Sequence, residues 1–233
     1  MKKSVVLKVG GSILYDKFLA INYELLDKVR NWYLEAKGEY ERIVLVVGGG
    51  ALSRDMQNRI KEGMEEKYLH NIGMSVTQTN ASLLQGFLGD SQLYLPSTLG
   101  DAFEYLVDSS TKHLVSGGLK SGWSTDMDAA IFADIVSSEK VLKLSDIEYI
   151  CDKDPKLNED AKPIKDMTWY EYFDLFHIAE GSQHNANGKI PIDVGCAQFC
   201  KNKDISFFIA GGANMYEKDT VQEVLKNGTL IHS

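Results

Sequence analysis

Lys8 stands two residues ahead of a glycine pair, Gly10 and Gly11, with Ser12 next; further on, Gly48, Gly49 and Gly50 run consecutively and Arg54 follows four residues after the last. A turn stripped of side chains lets backbone N–H groups approach a phosphate closely, and a helix N-terminus beyond it adds a favourable dipole. A tight strand-to-helix turn also favours glycine, so either cluster alone decides little. Two such clusters at the ends of successive apolar runs point to phosphate handling. A third cluster, "SGGLKSGWSTDMDAAIFAD" from Ser116 to Asp134, ends in Ser124, Thr125 and Asp126 at the mouth of an apolar helix. Its structural alternative is capping: Ser124 is a good N-cap, and Asp126 and Asp128 suit a first helical turn.

Neither glycine turn is a Walker A loop, because Lys8 precedes its glycines and no Gly-Lys-Ser/Thr follows a four-residue spacer. The dinucleotide pattern G-x-G-x-x-G fails as well, since Ser53 stands where its third glycine belongs.

The elements that must hold these residues alternate. Apolar runs expected as strands are Ser4–Val9, Arg42–Val47, His113–Ser116, Lys140–Leu144 and Ser206–Ala210, with weaker ones near Gln92–Leu95 and Thr229–Ile231. Amphipathic stretches between them are Tyr23–Ala36, Ala51–Lys61, Ile72–Leu88, Ala102–Ser109, Thr125–Val136, Thr168–Phe176, Ile192–Lys201 and Asp219–Lys226. This alternation predicts an α/β fold, a three-layer α/β/α sandwich on a mostly parallel central sheet, in one domain over residues 1–233 with ligands beyond the carboxyl ends of the strands. Asp152–Asp166 is polar and aperiodic and reads as a long loop with a hairpin at its start.

A net charge of -8 with no clustered Lys/Arg face argues against a nucleic-acid partner. Cys151, Cys196 and Cys200 are too few and wrongly spaced for a disulfide framework or a four-ligand zinc site, and buried thiols in a reducing compartment are the expectation. The first residues lack the long apolar core of a signal peptide and no segment approaches a membrane span, so a cytoplasmic protein without a membrane partner is expected. His113, His177 and His184 read as structural or surface histidines, and Trp32, Trp169 and the aromatics from Tyr170 to Phe176 as core.

With "LSDIEYICDKDPK" (Leu144–Lys156), "KIPIDVGCAQFCK" (Lys189–Lys201), the helix "IGMSVTQTNASLL" and the terminal "NGTLI", these clusters appear in the order found in the amino acid kinase family. The chain most resembles its archaeal-type uridylate kinase branch, over nearly its whole length. The resemblance implies transfer of a phosphoryl group from ATP, with Mg2+, to UMP or another small phosphorylated acceptor, by a homo-oligomer that is often a hexamer. Transfer of this kind needs positive charge and backbone donors around the moving group rather than a covalent nucleophile. By the resemblance, Lys8, Asp126 and Asp193 are catalytic; the carboxylates keep a partly desolvated lysine charged and fixed. Gly10, Gly11 and Ser12 match the ATP phosphate element, and Lys143, Ser145, Asp146, Cys151, Asp154 and Pro155 fall where relatives hold the nucleoside end. Gly48, Gly49, Gly50 and Arg54 match the cradle for the acceptor's phosphate, with His70, Ser124 and Thr125 on the acceptor side. No metal ligand is expected from side chains; Mg2+ comes with ATP.

The chain departs from the family pattern in places. His70 occupies an acidic position that contacts ribose in relatives, and imidazole is a poorer acceptor for paired hydroxyls. Tyr149 replaces a glycine and Cys151 an aromatic after the nucleotide strand, Trp123 follows a loop glycine, and Gly181–Asp193 holds His and Asn positions atypical of the branch. These departures leave open a kinase for another small acid or phosphate monoester. Pro191–Asp193 also resembles a Pro-hydrophobic-Asp motif of the molybdenum storage proteins, which leaves a non-catalytic nucleotide-dependent storage protein as the alternative from another class.

Overall fold

Long Val/Ile/Leu runs without polar interruption pair best when buried on both faces, and they do so here. The structure, a computed structural model, describes residues 3–16, 18–60, 62–107, 111–178, 190–212 and 220–233. The chain runs β1 (Ser4–Val9), α1 (Gly11–Leu14), α2 (Tyr23–Ala36), β2 (Arg42–Val47), α3 (Gly50–Ile60), α4 (Glu66–Leu88), α5 (Leu99–Val107), β3 (Lys112–Ser116), α6 (Thr125–Ile135) and β4 (Lys140–Ser145). It continues through β5 (Ile150–Cys151), β6 (Pro163–Ile164), β7 (Asp166–Thr168), α7 (Trp169–Leu175), α8 (Val194–Lys203), β8 (Ser206–Gly211), α9 (Val221–Val224) and β9 (Thr229–His232).

Among the described residues, seven strands form one sheet in the order β3-β2-β1-β4-β8-β9-β7, parallel throughout except for β8 against β9. Alternate residues of each strand face opposite sides. Val5, Leu7 and Val9 pack with Leu26 and Val29 of α2 and Leu84 of α4. Val6 and Val44 pack on the other side with Phe132 of α6, Trp169 of α7 and Cys196 of α8. Each fully buried aliphatic or aromatic side chain stabilises this arrangement by roughly 1.5–3 kcal/mol.

Local signals set the ends. Asn22 caps α2 through Leu25 N–H, and Thr168 and Glu171 form a capping box on α7. Gly89 and Asp204 close α4 and α8 in the left-handed conformation. His113 is buried, with Nδ1 3.1 Å from the Tyr33 hydroxyl; burial holds its pKa below the ordinary value, as expected of a structural histidine. Cys196 and Cys200 are buried and Cys151 half-buried. Trp32, Trp169 and Tyr172 are core residues, whereas Tyr170 is exposed. No helix among the described residues is long and apolar enough to cross a membrane.

The structure revises several expected boundaries. The Asp152–Asp166 stretch is closed at both ends, since β5 pairs antiparallel with β6 from the far side of the loop. The three-residue β7, with one buried residue, Met167, joins the sheet edge beside β9; so short a segment carries no period to detect. Gln92–Leu95 supplies only a bridge from Tyr94 to Leu114. Helix α4 starts at Glu66, six residues ahead of Ile72, because its first turn is largely exposed and shows no apolar stripe. Gly181–Lys189, His184 and the expected helix ends Lys61, Ser109 and Asp219 lie outside the described residues.

Candidate active site

Parallel pairing of β1 with β4 makes Lys8 and Lys143 register partners, so two lysines stand side by side on adjacent strands. Like charges placed so are destabilising unless a counter-charge intervenes. Asp126, in the first turn of α6, supplies it: Lys8 Nζ lies 3.1 Å from Oδ1 and Lys143 Nζ 2.6 Å from Oδ2. Lys8 is 7% exposed, Lys143 5% and Asp126 8%. Burial pushes the Lys8 pKa below its ordinary value; Asp126 opposes that and Lys143 adds to it. Burial also works against the Asp126 charge, but the two lysines outweigh it and hold this carboxyl below its ordinary value. Lys143, expected toward the nucleoside end of ATP, thus has its amino group on the Asp126 carboxylate, and it also donates to Pro191 O at 2.6 Å.

The helices that carry the acidic residues are tied at their N-termini. Ser124 caps α6 by accepting from Met127 N–H at 3.1 Å, and its hydroxyl donates to Asp193 Oδ2. Asp193 caps α8 by accepting from Cys196 N–H at 3.0 Å on Oδ1. The capping reading of Ser124 is therefore correct, Asp193 is a cap as well, and the two caps bond to each other. The positive ends of α6 and α8 meet there. Tyr172 holds the segment that leads into α8, its hydroxyl donating to Ile192 O at 2.7 Å and accepting from Ile192 N–H at 2.8 Å.

The glycine turns pack on each other. A Cβ on Gly11 would overlap the backbone of Gly48 and Gly50, and a Cβ on Gly48 would sit 2.8 Å from Gly11 N. Gly50 has φ +62, a conformation L side chains rarely adopt. Close backbone packing thus already requires glycine here without any ligand. It also sets the first turn, with half-buried Ser12, directly against the second. Gly10 donates to Leu144 O at 2.8 Å. Thr125 Oγ1 lies 3.5 Å from where a Gly48 Cβ would stand, so the start of α6 completes the cluster.

The remaining expected site residues are more spread out. Arg54 is exposed on α3, one turn beyond Gly50. His70 sits in α4 with its ring 30% exposed, Nε2 3.6 Å from Glu66 Oε1 and Nδ1 beside Gly122 of the third loop. Ser145 is buried at the end of β4 and donates to Asp146 at 3.3 Å. Cys151 lies on β5, with its thiol pKa pushed up by burial and by Asp152. Asp154 and Pro155 are exposed on the following turn, where Asp154 Oδ1 accepts from Lys156 N–H. No hydrogen bond or ion pair among the described residues joins Asp146, Cys151, Asp154 or Pro155 to the lysine pair.

Sequence reasoning passed over several polar residues that build the site. Thr77 and Asn80 lie three apart on α4, where they share a face. Thr77 Oγ1 accepts from Gly118 N–H at 2.7 Å, and fully buried Asn80 donates to the Gly48 carbonyl at 2.8 Å. Their signal was available: polar side chains on the buried face of a helix need partners. Asp128 is fully buried below Gly118, with no well-formed hydrogen bond to either carboxylate oxygen. Its pKa is raised to about 7 by burial, with Asp193 and Asp126 adding and the Leu119 N–H partly opposing.

The amino acid kinase family model matches residues 3–211. The chain belongs to the amino acid kinase family. Its similar proteins include a uridylate kinase of Methanobrevibacter smithii, 30% identical over 210 residues that cover 89% of each chain. A uridylate kinase of Thermococcus kodakarensis is 28% identical over 235 residues, 97% of this chain and 98% of that one. The crystal structure of a uridylate kinase from Archaeoglobus fulgidus matches with a TM-score of 0.76 at 22% identity, covering 99% of this chain and all of the other. That likeness establishes the amino acid kinase fold, with its mostly parallel sheet between helices. The resemblance to molybdenum storage proteins gains nothing from these comparisons.

Proposed function

We propose that the chain is an ATP-dependent kinase of the uridylate type, which transfers the γ-phosphoryl group of ATP to UMP. The observation that carries this reading is Asp126 held between Lys8 and Lys143 beside two glycine turns in direct contact. Lys8 neutralises charge on the moving phosphoryl group, and Asp126 keeps the amino groups of Lys8 and Lys143 in place before substrate arrives, so little reorganisation is needed during transfer. Gly10, Gly11 and Ser12 serve the ATP phosphates. The Gly48–Gly50 turn, with Arg54, serves the acceptor phosphate. Because Gly11 packs on Gly48 and Gly50, donor and acceptor turns keep a fixed spacing, which favours in-line attack over diffusion. Mg2+ supplies further neutralisation when bound. In this reading the Mg2+ is carried by the ATP phosphates. A cytoplasmic homo-oligomer is part of the same reading.

His70 favours a second reading, a different phosphorylated acceptor, because its imidazole reaches the Gly122 loop where relatives are expected to place a ribose-binding carboxylate. Turnover of MgATP with a panel of UMP, CMP and small phosphate esters tests both. UMP turnover is expected; turnover confined to another ester establishes the second reading, and no turnover with any of them refutes both. Calorimetry should also find binding of MgATP rather than NADH.

A further inference from the structure

Asn80 is fully buried on α4, and each polar atom of its amide has work. Nδ2 donates to the carbonyl of Gly48 at 2.8 Å and lies 3.4 Å from that of Gly49, while Oδ1 accepts from the Tyr15 hydroxyl at 2.6 Å. The Tyr15 bond fixes which way the amide faces, because only the NH2 side can serve two carbonyls. A trans peptide points its C=O and N–H to opposite sides. Drawing the Gly48 and Gly49 carbonyls towards α4 therefore turns the N–H groups of Gly49 and Gly50 away from it. Neither N–H has an acceptor among the described residues, and both stand at the start of α3, where helix donors are unsatisfied. One turn back on the same face of α4, Thr77 accepts from Gly118 N–H, so this face also sets the third loop.

We propose that Asn80 is a positioning residue for the acceptor: its amide, oriented by Tyr15, aims the Gly49 and Gly50 N–H groups at the acceptor's phosphate. The inference rests on the reading of Gly48–Gly50 as the cradle of a phosphorylated acceptor. Asn80 touches no substrate itself, and its removal acts through the turn. Asn80→Asp preserves shape but removes both donors and sets a carboxylate against two carbonyls, which lets the turn rotate. Tyr15→Phe leaves Asn80 in place and removes only the bond that orients it.

Steady-state kinetics with UMP varied at saturating MgATP, and the converse, provide the test. Asn80→Asp should raise KM for UMP about tenfold or more and Tyr15→Phe about threefold, with KM for ATP within about twofold of wild type, since the hydrogen bonds lost all act on the acceptor side alone. Equal changes in both KM values, or an unchanged UMP KM in variants that fold, would overturn the inference while leaving the kinase reading intact. If Asn80→Asp does not fold, Tyr15→Phe decides. A wild-type protein inactive on every phosphorylated acceptor tried removes the function reading and this inference together.

Discussion

Lys8 and Lys143 are register partners on neighbouring parallel strands, and each places its amino group on a different oxygen of the one Asp126 carboxylate. Two buried cations side by side repel, and each has lost most of its hydration. Helix α6 has to dock with its first turn over β1 and β4 for the carboxylate to reach both. The sheet, the helix position and the charge pattern thus depend on one another, and either lysine can be tested against the carboxylate that holds it.

Activity and stability should separate at this triad. Lys8→Met removes one of two repelling buried cations and is expected to leave stability within about 1 kcal/mol of wild type or to raise it, since Asp126 keeps Lys143 as its partner and no buried charge is left uncompensated. Turnover should fall on the order of a hundredfold or more, as for loss of a preorganised electrostatic group. Asp126→Ala strands both lysines and should cost roughly 3–5 kcal/mol as well as activity. Urea denaturation beside turnover measurements checks the pair; a Lys8→Met protein with near-normal turnover would make Lys8 a structural charge only.

Arg54 is exposed one helical turn after Gly50, so its guanidinium can add a bidentate contact to a phosphate at that turn. Arg54→Ala should raise the acceptor's KM about tenfold or more while leaving that of ATP nearly unchanged, the size expected for a charged hydrogen bond. Equal effects on both substrates would take Arg54 out of the acceptor site.

Much of this was legible before the structure, for reasons that differ by element. Ser4–Val9, Arg42–Val47 and Tyr23–Ala36 fall on the expected residues, because their burial is complete or strictly periodic and propensity agrees with it. Lys8, Asp126 and the glycine turns were legible as types at spacings. The partner of Lys143 was not, since a contact between β4 and α6 depends on how the helix docks, and no local pattern records that. The glycines carried two meanings at once, and only the contact of Gly11 with Gly48 and Gly50 separates packing from ligand approach. Asn80 and Thr77 were hidden inside a helix whose apolar stripe drew the reading; their partners lie on turns 32 and 41 residues away in sequence.

His70 lies beside Gly122 with Nε2 3.6 Å from Glu66, so the half-buried ring borders the third loop, which the proposed reading places on the acceptor side. Imidazole offers one acceptor where a carboxylate offers several for paired ribose hydroxyls. UMP is therefore expected to be a modest substrate, and His70→Asp should improve its kcat/KM several-fold through KM. High wild-type efficiency with UMP that falls in His70→Asp would show that the imidazole serves the ordinary acceptor well.

Asp128 gives a stability prediction with a definite sign. Its folded pKa of about 7 stands above the ordinary 3.8, so between those values the folded protein holds a proton that the unfolded chain has released. Stability contributed by that proton is fully present below the unfolded value and is lost as pH rises through the folded one. The penalty at alkaline pH is on the order of 3–5 kcal/mol for a carboxylate this buried. Asp128→Asn cannot ionise, and it keeps the shape beneath Gly118. The variant should be no more stable than wild type near pH 4, and its advantage should grow as pH rises from 4 to 8. Urea midpoints measured at intervals across that range, with each wild-type value subtracted, isolate this group from every other titration. A difference that stays flat with pH would mean that Asp128 ionises in the folded protein as readily as in the unfolded chain, and that a donor such as Leu119 N–H satisfies it after all.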